Sequence, residues 1–313
     1  MKTKILITIL VGLFVISVIS AGLVAAKPDN PGKGRKPDKL KPVPATDVEL
    51  VKKITLKGRP PHAGGGGKGK KKEGAATGVL GDPVSGSRYA VIVGISDYPG
   101  EENDLNYSDD DAMEMAAALG TGVYGFTNVT LLTDLAATRA TILTAIDSIP
   151  TDAGEVVFFF SGHGANGIAE DGDKERMDEA IVAHNGTDIV PIWDGELQGA
   201  FSEFSTSRII FIFDTCLAGG MEGDLEEPGR IIAMATSERG YAYESDIWEN
   251  GEFSYYFVDY GILQGHANVH DYYGNGTGKP EQVTVEEAFD YAKANCSYDK
   301  PTIGDSFDND LLP

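Results

Sequence analysis

The chain has 313 residues, of which 48 are Asp or Glu and 26 Lys or Arg, for a net charge of −22. Such an acidic protein is ill suited to holding nucleic acid, and two cysteines are too few to build a disulfide-stapled fold. The charge is also divided, because residues 27–88 carry 15 basic residues against six acids while residues 89–313 carry nine against 42. A basic arm therefore precedes a very acidic body, whose carboxylates suit cationic or calcium partners or solubility in salt.

In chain order, Lys2 and Lys4 open an apolar run from Ile5 to Ala26 that ends in small residues before Lys27. This pattern predicts a secretory signal over 1–26; the run is also long enough for an N-terminal anchor, and the small-residue end favours cleavage. A secreted or cell-surface protein is expected, touching a membrane only through that segment if it stays uncleaved. Five Asn-x-Ser/Thr triplets, beginning at Asn106, Asn128, Asn185, Asn275 and Asn295, are compatible with export. Residues 27–87 are dominated by Pro, Gly and Lys and cannot bury enough surface to fold alone, so they read as a disordered pro-segment or linker.

The body, 88–313, is long enough for one well-buried domain. Tyr89 to Ile95 predicts a buried strand, and Ser108 with Asp109, Asp110 and Asp111 predicts a helix start that runs to Gly120. Asn128–Thr133 reads as a strand and Thr138–Asp147 as a helix. Glu155 to Ser161 is a third strand, closing on Gly162-His163-Gly164, and the stretch from Ala165 to about Pro191 reads as a polar excursion. A helix over Asp194–Phe204, a strand from Arg208 to Asp214 closing on Cys216, and a strand over Ile231–Ala235 follow. Phe253–Leu263 and Val283–Ala294 predict the last helices, the second with capping-box spacing from Thr284 to Glu287. This alternation predicts an α/β protein, a three-layer α/β/α sandwich with a mostly parallel central sheet.

Ligands bind at the carboxyl ends of such strands, where both His163 and Cys216 fall. A thiol and an imidazole displayed together are what a cysteine nucleophile and its base require. The flanking glycines let a substrate approach, and the backbone amides of Gly164 and Cys216 are candidate oxyanion donors. Gly64 to Lys72 is no phosphate loop, Asp271 to Gly276 lacks the ligands of an EF-hand, and no zinc-hydrolase pattern occurs. Cys296 is expected to pack near the C-terminus.

Phe160-Ser-Gly-His163-Gly164 resembles the histidine motif of the caspase-like clan of cysteine peptidases, and Asp214-Thr-Cys216-Leu-Ala-Gly219-Gly220 its nucleophile motif. The resemblance spans residues 88–313 and is nearest to metacaspase-like proteins, with Leu217 where those usually place His and Thr215 where they place Ser. It implies a cysteine endopeptidase using a Cys216–His163 dyad, with Asp111 and Asp214 in the pocket for the residue before the cut. Two carboxylates there would select Arg or Lys. The resemblance also makes calcium a candidate activator, held by Asp173, Asp178 and Glu179 in an acidic loop. The substrate would be a polypeptide with a basic residue before the scissile bond, and the basic arm, with Lys52-Lys53, Arg59 and Lys70-Lys71-Lys72, is expected to be a pro-segment held by charge over the cleft and removed by the enzyme itself. A legumain-like peptidase or ligase cutting after Asn, and a catalytically idle caspase-like binding module, are the alternatives.

Overall fold

A computed structural model describes residues 41–57, 75–76, 84–171, 177–270 and 283–306. The expected signal over 1–26, Arg59, the lysines at 70–72, the 271–276 loop and Asp173 lie outside these residues. The described strands and helices begin with β1 (Ala45–Val51) and β2 (Ile54–Leu56). Next come β3 (Arg88–Gly94), α1 (Ser108–Ala117), β4 (Asn128–Thr133), α2 (Arg139–Asp147), β5 (Glu155–Ser161), β6 (Gly164–Ala169) and β7 (Asp178–His184). Then follow β8 (Ile189–Trp193), α3 (Asp194–Phe201), β9 (Ile209–Asp214), α4 (Met221–Leu225), β10 (Arg230–Met234), β11 (Tyr243–Ser245) and β12 (Asn250–Gly251). The short α5 (Glu252–Ser254) continues as a π-helix over Tyr255–Leu263, and α6 (Val285–Asn295) and β13 (Thr302–Asp305) close the described chain.

The apolar runs form a six-stranded sheet in the order β13-β10-β9-β5-β3-β4, parallel throughout except for β13. Period-2 alternation sorts its side chains onto two faces. Val91, Val93, Phe158, Phe160, Phe211 and Phe213 pack with Ile142 and Ile146 of α2 and Leu197 and Phe201 of α3. Ile92, Val157, Phe159, Ile210 and Ile212 pack on the other side with Met115 of α1 and Phe253, Phe257 and Phe289 of the C-terminal helices. Each fully buried Phe contributes about 1.5–3 kcal/mol by area removed from water, which is why these strands need no polar face. The helix starts follow their sequence signals: Thr138 accepts from the Thr141 N–H at 3.1 Å, and Thr284 and Glu287 cap each other reciprocally.

Two expectations are corrected. The stretch expected as a polar excursion is strands β6, β7 and β8, an antiparallel set in the order β1-β6-β7-β8. The arm, expected to be disordered, is ordered over 45–56: β1 pairs antiparallel with β6, and β2 pairs in parallel with β11. It satisfies its backbone on edges that the body supplies, so its own lack of a core is no obstacle.

Candidate active site

Ser161 and Asp214, the last residues of β5 and β9, are register partners, so the segments leaving the sheet after each start from the same level. His163 and Cys216 each lie two residues further on, and each is only 1% exposed. The two segments touch: a Cβ on Gly164 would run into the carbonyl of Cys216. Leu217 turns the chain away at φ +60°, a left-handed conformation that costs a residue with a side chain roughly 1–2 kcal/mol. Its N–H donates to the Gly240 carbonyl at 3.0 Å, which helps to hold the turn.

Tyr98 stacks on the His163 ring with centroids 4.8 Å apart, and its hydroxyl accepts from the His163 N–H at 3.1 Å while donating to the Val182 carbonyl at 3.0 Å. His163 Nε2 lies 2.7 Å from the Asn103 carbonyl, which can only accept, so the ring proton sits on Nε2 and Nδ1 is the basic nitrogen. Nδ1 accepts the backbone N–H of Lys53 at 3.1 Å. Cys216 Sγ accepts the Ala242 N–H at 3.2 Å. Burial, helped by the Lys53 and Lys52 ammonium groups and opposed by the Asn103 carbonyl, pushes His163 down to about 4. Burial likewise pushes the Cys216 thiol up to about 12. At neutral pH this arrangement holds a protonated thiol and a neutral imidazole.

Beside the pair lies an acidic pocket filled by Lys53 from the arm. Its Nζ is 2.8 Å from Asp214 Oδ1, 3.7 Å from Asp111 Oδ2 and 3.0 Å from Ser161 Oγ, with all three charged side chains fully enclosed. Ser161 Oγ donates onward to Asp111 Oδ2 at 2.6 Å. Asp111 Oδ1 accepts from the Gly251 N–H at 3.0 Å and from Asn250 at 3.1 Å. Asp214 Oδ2 accepts from the Ser254 N–H at 2.9 Å and from its hydroxyl at 2.7 Å. Gly251 leaves room for the ammonium, since a Cβ there would sit 2.9 Å from Nζ. Burial opposes the Lys53 charge, but Asp214 and Asp111 outweigh it and raise the ammonium above its ordinary value. Burial pushes Asp111 up to about 7, with Lys53 opposing and the Asp214 charge adding.

The family model for the caspase domain matches residues 87–277. The chain belongs to the caspase domain family, a family of cysteine peptidases. No curated protein gives a match. Among solved structures, the chain is similar to protein GSU0716 from Geobacter sulfurreducens, at 17% identity over 70% of this chain and 92% of that one, with a TM-score of 0.48.

Of the residues singled out from sequence, this caspase domain brings together His163, Cys216, Gly164, Asp111 and Asp214. It does not bring the expected calcium set together. Asp173 is outside the described residues, and Asp178 and Glu179 are neighbours on β7, so their side chains leave opposite faces. Glu179 lies against Gly220, whereas Asp178 shares a cluster with Asp171 and Asp194 whose oxygens fall within 4.8 Å of one another. Burial, with Asp224 and Asp171 adding and the N–H groups of Glu179 and Gly195 opposing, pushes Asp194 up to about 9. An oxygen-only set holding a reluctant carboxylate fits a hard divalent cation.

Sequence reasoning placed Lys53 in an arm held by charge over the cleft but assigned it no place in the site, and it missed Tyr98, Asn250, Gly251 and Ser254. Only Lys53 carried a readable signal: Val48, Leu50, Ile54 and Leu56 alternate with polar residues around Lys52-Lys53, a strand pattern inside an otherwise structureless composition.

Proposed function

We propose that this protein is an exported cysteine endopeptidase that cuts after Lys or Arg, held latent by its own basic arm. The observation that carries this reading is the Lys53 ammonium enclosed between Asp214 and Asp111 beside His163 and Cys216. A buried carboxylate pair of this kind binds a cation strongly and has little to offer a neutral Asn side chain. With the arm displaced, His163 Nδ1 takes the thiol proton and Cys216 attacks the scissile carbonyl. The Gly164 and Cys216 amides stabilise the oxyanion, His163 protonates the leaving nitrogen, and water then hydrolyses the thioester. Nε2–H donating to Asn103 keeps the tautomer that this sequence of steps needs.

Calcium stimulation is assigned to Asp178 with Asp171 and Asp194. Self-processing is assigned to basic positions of the arm outside residues 45–57, and Cys216→Ala protein that is processed as fast as wild type would remove it. The main test is a panel of fluorogenic peptides with Arg, Lys, Asn or Asp before the cut, with and without calcium, on full-length protein and on Cys216→Ala. Turnover of Lys and Arg peptides that Cys216→Ala abolishes is expected. Turnover after Asn or Asp alone overturns the basic specificity, and no turnover by any form favours a binding module.

A further inference from the structure

Two peptide bonds of the arm flank the acidic pocket, and neither is presented for attack. If the bond after Lys53 were to be cut with that side chain in the pocket, the leaving nitrogen would be that of Ile54, and it would have to face the base. Instead the Ile54 N–H donates to the Ala242 carbonyl at 2.8 Å, and the nitrogen on His163 Nδ1 is that of Lys53 itself, at 3.1 Å. That nitrogen belongs to the Lys52–Lys53 bond, whose hydrolysis would require Lys52 in the pocket. Lys52 Nζ donates instead to the Glu102 carbonyl at 2.6 Å.

The pocket side chain and the base-facing nitrogen thus belong to the same residue, and a productive substrate has them on successive residues. The arm therefore crosses the dyad with its chain direction reversed. It is anchored on both sides in that direction, by β1 on β6 up to the Val51–Gly164 pair next to His163, and by β2 running parallel to β11.

We propose that residues 45–57 are a strap that inhibits as a reversed ligand and is not a substrate, so that activation opens the strap while the Lys53–Ile54 bond survives. This rests on the peptidase reading above. The strap occupies three functions at once. Lys53 Nζ fills the pocket, and Lys53 N–H caps the lone pair of the base. The third is the backbone of Ala242, whose N–H donates to Cys216 Sγ and whose carbonyl accepts from Ile54. A strap of this kind is an internal competitor, and any change that lowers its closed population raises apparent activity in proportion.

The test compares full-length wild type, Lys53→Gln and Ile54→Pro. The first variant removes the ammonium. The second keeps it, removes the donor to Ala242 and leaves the carboxylate pair intact, so it reports even if Lys53→Gln folds poorly. Two readouts are taken: turnover of a Lys peptide with intact-mass measurement of the enzyme, and the rate at which iodoacetamide alkylates Cys216, with Cys296 as the internal comparison. The expected result is that both variants gain at least about tenfold in turnover and in Cys216 alkylation with the 53–54 bond uncut. A new N-terminus at Ile54 that accumulates in step with activity overturns the proposal, as does alkylation of Cys216 that neither variant accelerates. Faster alkylation with no peptide hydrolysis leaves the strap standing and overturns the peptidase reading.

Discussion

Replacing Asp214 by Asn tests whether one ion pair both holds the strap and selects the substrate. Asp214 Oδ2 is fixed by the Ser254 N–H and hydroxyl, at 2.9 and 2.7 Å, so the Asn carbonyl oxygen takes that place and the amide turns toward Lys53. The 2.8 Å ion pair then becomes a donor facing a donor in a fully enclosed pocket. Breaking a buried pair by removing one partner costs about 3–5 kcal/mol, or about 10²- to nearly 10⁴-fold in an equilibrium. Asp111 cannot make up the loss, because it is 3.7 Å away and its oxygens already serve Gly251, Asn250 and Ser161.

The chain has a cheaper response than global unfolding, which is to release the strap. In Asp214→Asn, amide-exchange protection over 45–57 is therefore expected to fall by about 10²- to nearly 10⁴-fold while β5 and β9 keep theirs. Placed in the Lys53→Gln background, where the pocket is free of the strap's ammonium, the same substitution should lower kcat/KM for Lys peptides by a similar factor. Cys216 alkylation in that background should not change. Unaltered strap protection together with unaltered Lys-peptide turnover would refute the assignment of Asp214 to both tasks.

Tyr98→Phe leaves the His163 N–H without its hydroxyl acceptor; an unsatisfied buried donor costs about 1–3 kcal/mol, so kcat should drop about tenfold or more with KM nearly constant, as steady-state kinetics would show. Gly251→Ala puts a methyl group 2.9 Å from the Lys53 Nζ position, so KM for Lys peptides should rise while Cys216 alkylation persists or accelerates. Calcium should raise the melting temperature, because a divalent cation offsets the burial that holds Asp194 protonated, and Asp194→Asn should remove that response.

The central sheet and the places of His163 and Cys216 just past two of its strand ends were legible because their signals are local in sequence. Val156 to Phe160 and Ile209 to Phe213 are continuous apolar runs whose only reading is a strand buried on both faces, and small residues at their ends announce the two side chains they display. β6 was not legible, since Gly164 to Ala169 has neither a period nor a strand-forming composition and takes its strand conformation from neighbours on both sides, whereas β7 and β8 do carry short apolar runs, Ala180 to Ala183 and Ile189 to Trp193, that the surrounding polar residues obscured. Asp111 and Asp214 could be assigned to a pocket only through resemblance; their spacing of 103 positions says nothing until the sheet brings Ser161 between them.

The arm was misread for the same physical reason. Composition reports whether a segment can bury enough of its own surface to fold, and residues 27–87 cannot. It does not report whether a neighbour offers unpaired strand edges and a buried anionic site. The body offers both, and one lysine supplies a counter-ion that the Asp111–Asp214 pair lacks. On the function proposed above, a pocket that takes a basic side chain from a substrate would take one from its own chain first. On that same proposal the reversed direction of 45–57 is a requirement of stable latency, because a forward-threaded lysine at the same depth would present its own carbonyl to Cys216 and be cut.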